Sequence, residues 1–184
     1  PAPAEFCEQW HDWIQSLAVG LKPITFNRCL IPEEFADGVS ELHTFCDGST
    51  KGYSCVCYLR TITHTGKIHV TIVAAKSRLT PKKGATIPRI ELAGACISVK
   101  LCNLIRDALD IDIVRSTYWT DSKIVLGYIQ NNDRRFKPFV ANRVNTIRQS
   151  SVPSEWRYID SANNPADIAS RGCDAHELPQ IWFQ

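Results

Sequence analysis

The sequence predicts an α/β domain built on a mixed β-sheet, and three observations carry that reading. Three strand-like runs follow one another between Glu41 and Ala75, joined by short loops with turn chemistry. From Pro88 onward, helical and strand patterns alternate, which makes the later strands parallel. The run Ile111 to Thr120 is rich in β-branched and aromatic residues. It ends at Asp121-Ser122 and passes straight into Ile124, Val125, Tyr128 and Ile129 at helical spacing.

The chain has 184 residues, enough for one well-buried domain. It is 44% hydrophobic and 22% charged, an ordinary globular mix, so no fibrous or disordered class is indicated. The net charge is +2, so any affinity for a polyanion must come from local clustering. No apolar run approaches the ~20 residues of a membrane span, and no basic-then-apolar leader is legible. The chain has no Met and opens Pro-Ala-Pro-Ala, which reads as a piece of a longer polypeptide. None of the eight cysteines forms a CxxC pair, so structural zinc is poorly supported. They read as reduced, mostly buried thiols acting as small hydrophobes in a reducing compartment.

Residues 1–38 read as an extension. Phe6, Trp10, Trp13, Ile14 and Leu17 form an amphipathic helical stripe ending near Gly20, expected to pack on its own domain, with a partner-docking helix as the alternative. A Pro-punctuated connection follows. The compact unit spans 39–173, and 174–184 reads as a tail. Glu41 to Asp47 is a first strand, closed by Asp47-Gly48-Ser49. Tyr53 to Ile62 and Ile68 to Ala75 complete an antiparallel meander. Ser77 to Pro88 is a basic loop with Arg78, Lys82, Lys83 and, just after it, Arg89. A helix from about Pro88 to Asp110 buries Ile90, Gly94, Ile97, Leu101, Leu104 and Ala108, with Glu91 in its first turn. The strand ending at Asp121 comes next, with Asp121 and Ser122 as helix caps. A basic loop near Arg134, Arg135 and Lys137 leads to a helix carrying Phe139, Val140, Arg143, Val144, Ile147 and Arg148. Glu155 to Ile159 is the last strand. Asn164-Pro165-Ala166-Asp167 opens a short helix, Asn as N-cap and Pro at the first position, closed at Gly172.

Threading this order places four acids together. With the first strand pointing up, the meander ends upward and the long helix begins at the top. The later strands then rise parallel to the first. Asp47, Glu91, Asp121 and Asp167 all fall at the top edge, where open α/β sheets hold ligands. Each acid alone has a local explanation as a turn residue, cap or helix-dipole partner. Together they repel, and the usual remedy is a hard cation with oxygen ligands, Mg²⁺ or Mn²⁺. Two such ions suit displacement at a phosphodiester. The neighbouring basic clusters suit a polyanionic backbone.

At these residues the chain resembles a family. Asp47-Gly48-Ser49, Glu91 in a long helix, Thr120-Asp121-Ser122-Lys123 and Asn164-Pro165-Ala166-Asp167 look like the four-acid site of ribonuclease H. Ala75-Lys76-Ser77-Arg78-Leu79, Ile87-Pro88-Arg89-Ile90-Glu91-Leu92, Phe136-Lys137-Pro138-Phe139 and Ala166-Asp167-Ile168-Ala169-Ser170-Arg171-Gly172 narrow the likeness. They resemble the ribonuclease H domain of Bel/Pao-type LTR retrotransposon polyproteins. The resemblance covers roughly 39–172.

It implies a five-stranded mixed sheet in the order 3-2-1-4-5. It implies cleavage of the RNA strand of RNA–DNA hybrids during reverse transcription, with Asp47, Glu91, Asp121 and Asp167 holding two Mg²⁺ (or Mn²⁺). It implies nucleic-acid contacts from Gly48, Ser49, Arg78, Lys82, Lys83, Arg89, Ser122, Lys137 and Arg143. A reverse transcriptase in the same polyprotein and a cytoplasmic retroelement particle complete the picture, with no membrane partner. One departure stands out: many members carry a histidine in the loop before the last acid, and Asp160-Ser161-Ala162-Asn163-Asn164 has none. Arg171 is the candidate to take that part. A non-catalytic tethering module and an integrase- or transposase-like nuclease stay open as other readings.

Overall fold

The computed structural model describes residues 3–82, 85–133 and 135–173, apart from 21–27. Lys83, Arg134 and the tail 174–184 therefore lie outside the described residues. Strands β1 (Val39–Gly48), β2 (Gly52–Ile62) and β3 (Ile68–Leu79) form the expected meander. Helix α2 (Ile87–Ala108) returns the chain, and β4 (Ile113–Thr120) runs parallel to β1. Helices α3 (Lys123–Gln130) and α4 (Pro138–Ser150) lead to the three-residue β5 (Trp156–Tyr158), parallel to β4. Helix α5 (Ala166–Arg171) closes the domain. The sheet order is β3-β2-β1-β4-β5, the order the sequence implied.

The strand period sorts the two faces. Leu42 and Cys46 of β1 and Cys55, Cys57 and Leu59 of β2 point into the main core with Leu92, Val99, Cys102 and Ile105 of α2. Tyr118 and Trp156 stack there at 4.9 Å between ring centroids. Val56, Tyr58 and Ala166 form a smaller cluster on the other face, with Phe45 and Ile72 against it. The buried cysteines act as small hydrophobes: burial pushes the Cys55 thiol up to about 12 and the Cys96 thiol up to about 11.

Several expectations are corrected. β3 runs four residues past Ala75, so Arg78 sits in a strand opposite Tyr53 and not in a loop. Cross-strand pairing with β2 carries the polar stretch that sequence alone reads as loop. Leu104 is exposed, while Leu92, Val99 and Cys102 turn inward. α2 is covered by both the sheet and α4, so its buried face is wider than one stripe. The expected packing of the tryptophan stripe is not seen. In α1 (Ala4–Gly20), Phe6, Trp10, Trp13 and Ile14 are exposed. The sheet face toward α2 is already filled by the domain's own helices.

Two glycines set the distance between β1 and α2. A Cβ on Gly48 would stand 2.6 Å from the Glu91 backbone nitrogen. A Cβ on Gly94 would stand 2.6 Å from the Asp47 carbonyl oxygen. Real Cβ atoms do not approach this closely, so both positions require glycine for backbone-to-backbone contact. That contact brings the end of β1 against the start of α2.

Candidate metal centre and nucleic-acid interface

Three of the four predicted acids meet. Among the described residues, Asp47, Asp121 and Asp167 each offer a carboxylate oxygen, and these atoms lie within 4.8 Å of one another. Asp47 is buried at the end of β1, Asp121 follows β4 and Asp167 sits in α5. Glu91 stands beside this group without joining it. It is the fifth residue of α2, past the first turn, because the helix begins at Ile87 ahead of Pro88. Its Oε2 accepts the Ser122 hydroxyl at 2.7 Å.

Every one of the four acids has a nearby donor. Ser161 Oγ donates to Asp121 Oδ2 at 2.6 Å. The Ser170 hydroxyl donates to Asp47 Oδ2. Arg171 Nε donates to Asp167 Oδ1 at 2.7 Å, an i,i+4 ion pair. Ser122 also caps α3, accepting from the Val125 N–H at 3.2 Å. The expected cap at Asp121 therefore belongs to Ser122, which leaves the aspartate side chain free of that duty. The helix opens one residue later than expected: Pro165 is the N-cap of α5 and Asn164 precedes it, its Oδ1 accepting from the Ala166 N–H at 3.1 Å.

The electrostatics are those of crowded carboxylates. Burial, together with the Asp121 and Asp47 charges, raises the Glu91 carboxyl above its ordinary range against the Ser122 bond. Burial, with Asp47 and Asp167 nearby, raises Asp121 against its Ser161 bond. This donor set fits a hard divalent cation: carboxylate oxygens only, close together, and repelling one another without a positive charge.

The remaining predicted contacts scatter around this edge. Gly48 is buried against α2, and Ser49 Oγ donates to the Ser170 carbonyl at 2.7 Å. Arg89 and Arg143 both lie over the Phe139 ring, at 5.2 and 3.4 Å from its centroid. Arg78 and Arg143 line one groove with Tyr53, Lys100, Asn142 and Thr146, about 280 Å³ in volume. Lys82 and Lys137 are exposed. Sequence reasoning missed Ser161, Ser170, Tyr53 and Lys100. Ser170 alone left a signal: it follows Asp167 by three residues, and so shares its helix face.

Comparison with solved structures finds ribonucleases H. The N-terminal RNase H domain of rv2228c from Mycobacterium tuberculosis is 15% identical, with 74% of this chain and 96% of that chain covered and a TM-score of 0.49. RNase H1 from Halobacterium salinarum is 12% identical, over 74% and 100% of the two chains, with a TM-score of 0.45. LC11-RNase H1, solved with an RNA/DNA hybrid, is 12% identical over 76% and 99%, with a TM-score of 0.47. No curated protein matches the chain. A family model described as the Pao retrotransposon-like RNaseH-like domain matches residues 1–122, which takes in Asp47, Glu91 and Asp121. Because that match covers more than half of its length, this chain belongs to the Pao retrotransposon-like RNaseH-like family.

Proposed function

We propose that this domain is a divalent-metal-dependent endonuclease that hydrolyses the RNA strand of RNA–DNA hybrids during reverse transcription of a retroelement. One observation carries the reading: Asp47, Asp121 and Asp167 arrive from three separate elements within 4.8 Å of one another. Structural roles such as caps and turns do not need that convergence. In this reading Asp47, Asp121 and Asp167 hold Mg²⁺ or Mn²⁺, and Glu91 completes the set from α2. When bound, such ions supply Lewis acidity toward a phosphodiester and an activated water.

The chain's own groups then have separable tasks. Ser161, Ser170 and Ser122 donate to Asp121 Oδ2, Asp47 Oδ2 and Glu91 Oε2, which holds each carboxylate in one orientation. Arg78, Lys82, Lys83, Arg89, Lys137 and Arg143 supply positive charge for the nucleic-acid backbone. Gly48, Ser49 and Ser122 lie at the β1 and α3 ends of the site, close to where a ribose would pass, and 2′-hydroxyl contacts there would distinguish RNA from DNA. The functional unit is 39–173. It acts beside a reverse transcriptase of the same polyprotein, in a cytoplasmic retroelement particle.

The test is a labelled RNA–DNA hybrid incubated with the domain and Mg²⁺, beside Asp121→Asn. RNA cleavage by the wild type and its loss in the variant are expected. A folded wild type that binds the hybrid and leaves it intact would make the domain a non-catalytic tether. Cutting of plain duplex DNA would instead favour the transposase-like reading.

A further inference from the structure

Helix α5 has six residues and buries little apolar surface, with Ala166 its one fully buried hydrophobic side chain. A helix this short does not hold itself in water. What holds it is a set of polar ties to β1 and β2. Asn164 Nδ2 donates to the Cys46 carbonyl at 3.1 Å. Ser54 Oγ donates to the Ala166 carbonyl at 2.6 Å. Ser49 Oγ donates to the Ser170 carbonyl at 2.7 Å. The fourth tie, from the Ser170 hydroxyl to Asp47 Oδ2, differs in kind because it ends on a carboxylate of the acid cluster.

Ser170 is 2% exposed, so its hydroxyl must spend its proton inside the protein. Two acceptors are in reach, Asp47 Oδ2 and the Asp167 carbonyl at 2.9 Å. The carboxylate oxygen is the stronger acceptor of the two, so the hydroxyl donates to it. Among the described residues no donor reaches Asp47 Oδ1, so the bond occupies one side of the carboxylate and leaves the other open. Ser170 also follows Asp167 by three positions, so one helix face carries both an acid of the cluster and the donor that orients another.

We propose that Ser170 is a positioning residue for the cation site: by donating to Asp47 Oδ2 it fixes the orientation of the Asp47 carboxylate. This rests on the reading of Asp47, Asp121 and Asp167 as cation ligands. Groups that orient metal ligands in this way commonly change metal affinity by about 10- to 100-fold when removed.

The experiment titrates Mn²⁺ into the 184-residue chain by electron paramagnetic resonance and calorimetry, with circular dichroism to monitor folding. Ser170→Ala is expected to bind Mn²⁺ at least about tenfold more weakly than wild type. Ser170→Cys keeps the volume and weakens the donor, and it is expected to lose affinity in the same direction. Ser54→Ala removes a tie of the same helix that touches no carboxylate, and it is expected to leave Mn²⁺ affinity within about twofold, since it breaks no bond to a ligand. Should Ser170→Ala fail to fold, the Cys variant decides. Wild-type affinity in the folded Ser170 variants, or an equal loss in Ser54→Ala, overturns the positioning role. A wild type that binds no Mn²⁺ removes the cation-site reading itself, a separate result.

Discussion

Gly94 lies so close to Asp47 that a Cβ on the glycine would stand 2.6 Å from the aspartate's carbonyl oxygen. α2 therefore crosses the end of β1 with backbone against backbone, and Glu91 is delivered beside the acid cluster by that contact. Gly94→Ala has to push α2 and β1 apart. Overpacking of this kind costs about 1–3 kcal/mol. Urea denaturation should show a loss of that size, and cleavage should fall further than stability because Glu91 moves with the helix.

Glu91 and Asp121 both have carboxyl pKa values raised in the metal-free fold, chiefly by burial. A raised carboxyl binds its proton more tightly folded than unfolded, so the unfolded chain binds fewer protons across the interval between the two values. Stability then falls as pH rises through that interval, from the ordinary carboxylate range up to the raised values. Above it the cost is fully present. Metal-free protein should therefore gain stability from these two groups on acidification from neutral pH into that interval. Asp121→Asn should remove its share of the cost, and thermal melts of both proteins across the pH range would measure this.

A bound divalent cation offsets the same repulsion. Saturating Mg²⁺ should raise the melting temperature, and a chelator should reverse the rise. The linkage amounts to about 2.7 kcal/mol at a hundred times the dissociation constant. A melting temperature indifferent to Mg²⁺ and Mn²⁺ alike would count against the proposed site.

Arg143 lies 3.4 Å from the Phe139 ring centroid and donates to the Phe139 carbonyl at 3.2 Å. Its guanidinium is held at one place in a groove shared with Arg78 and Lys100. Arg143→Ala should weaken hybrid binding across all sequences and reduce the slope of log affinity against log salt by about one. Fluorescence anisotropy at several salt concentrations reads both effects.

Trp10 and Trp13 are 58% and 48% exposed, their rings 5.1 Å apart. Trp10→Ser should change the folding stability of the domain by no more than about 0.5 kcal/mol, as surface changes do. A larger loss in a urea melt would show that the helix packs on the domain in solution.

The strand and helix periods, the turn residues around Asp47 and the Asn-Pro opening of α5 are local signals. They were enough to order the elements and to bring Asp47, Asp121 and Asp167 to one edge. Strand parity follows from local connectivity, so the edge was legible without contacts. Which hydroxyl serves which acid was not. Ser170 and Asp47 are 123 residues apart, and no pattern of spacing joins them. The extra length of β3 was hidden as well, because pairing with β2 outweighs the polar character of Lys76 to Arg78. The place of Glu91 just outside the aspartate group likewise depends on how closely Gly48 and Gly94 let α2 approach. Sequence determined which residue types each element carries to the edge. Tertiary structure decided their spacing and donors, because these depend on packing between elements far apart in the chain.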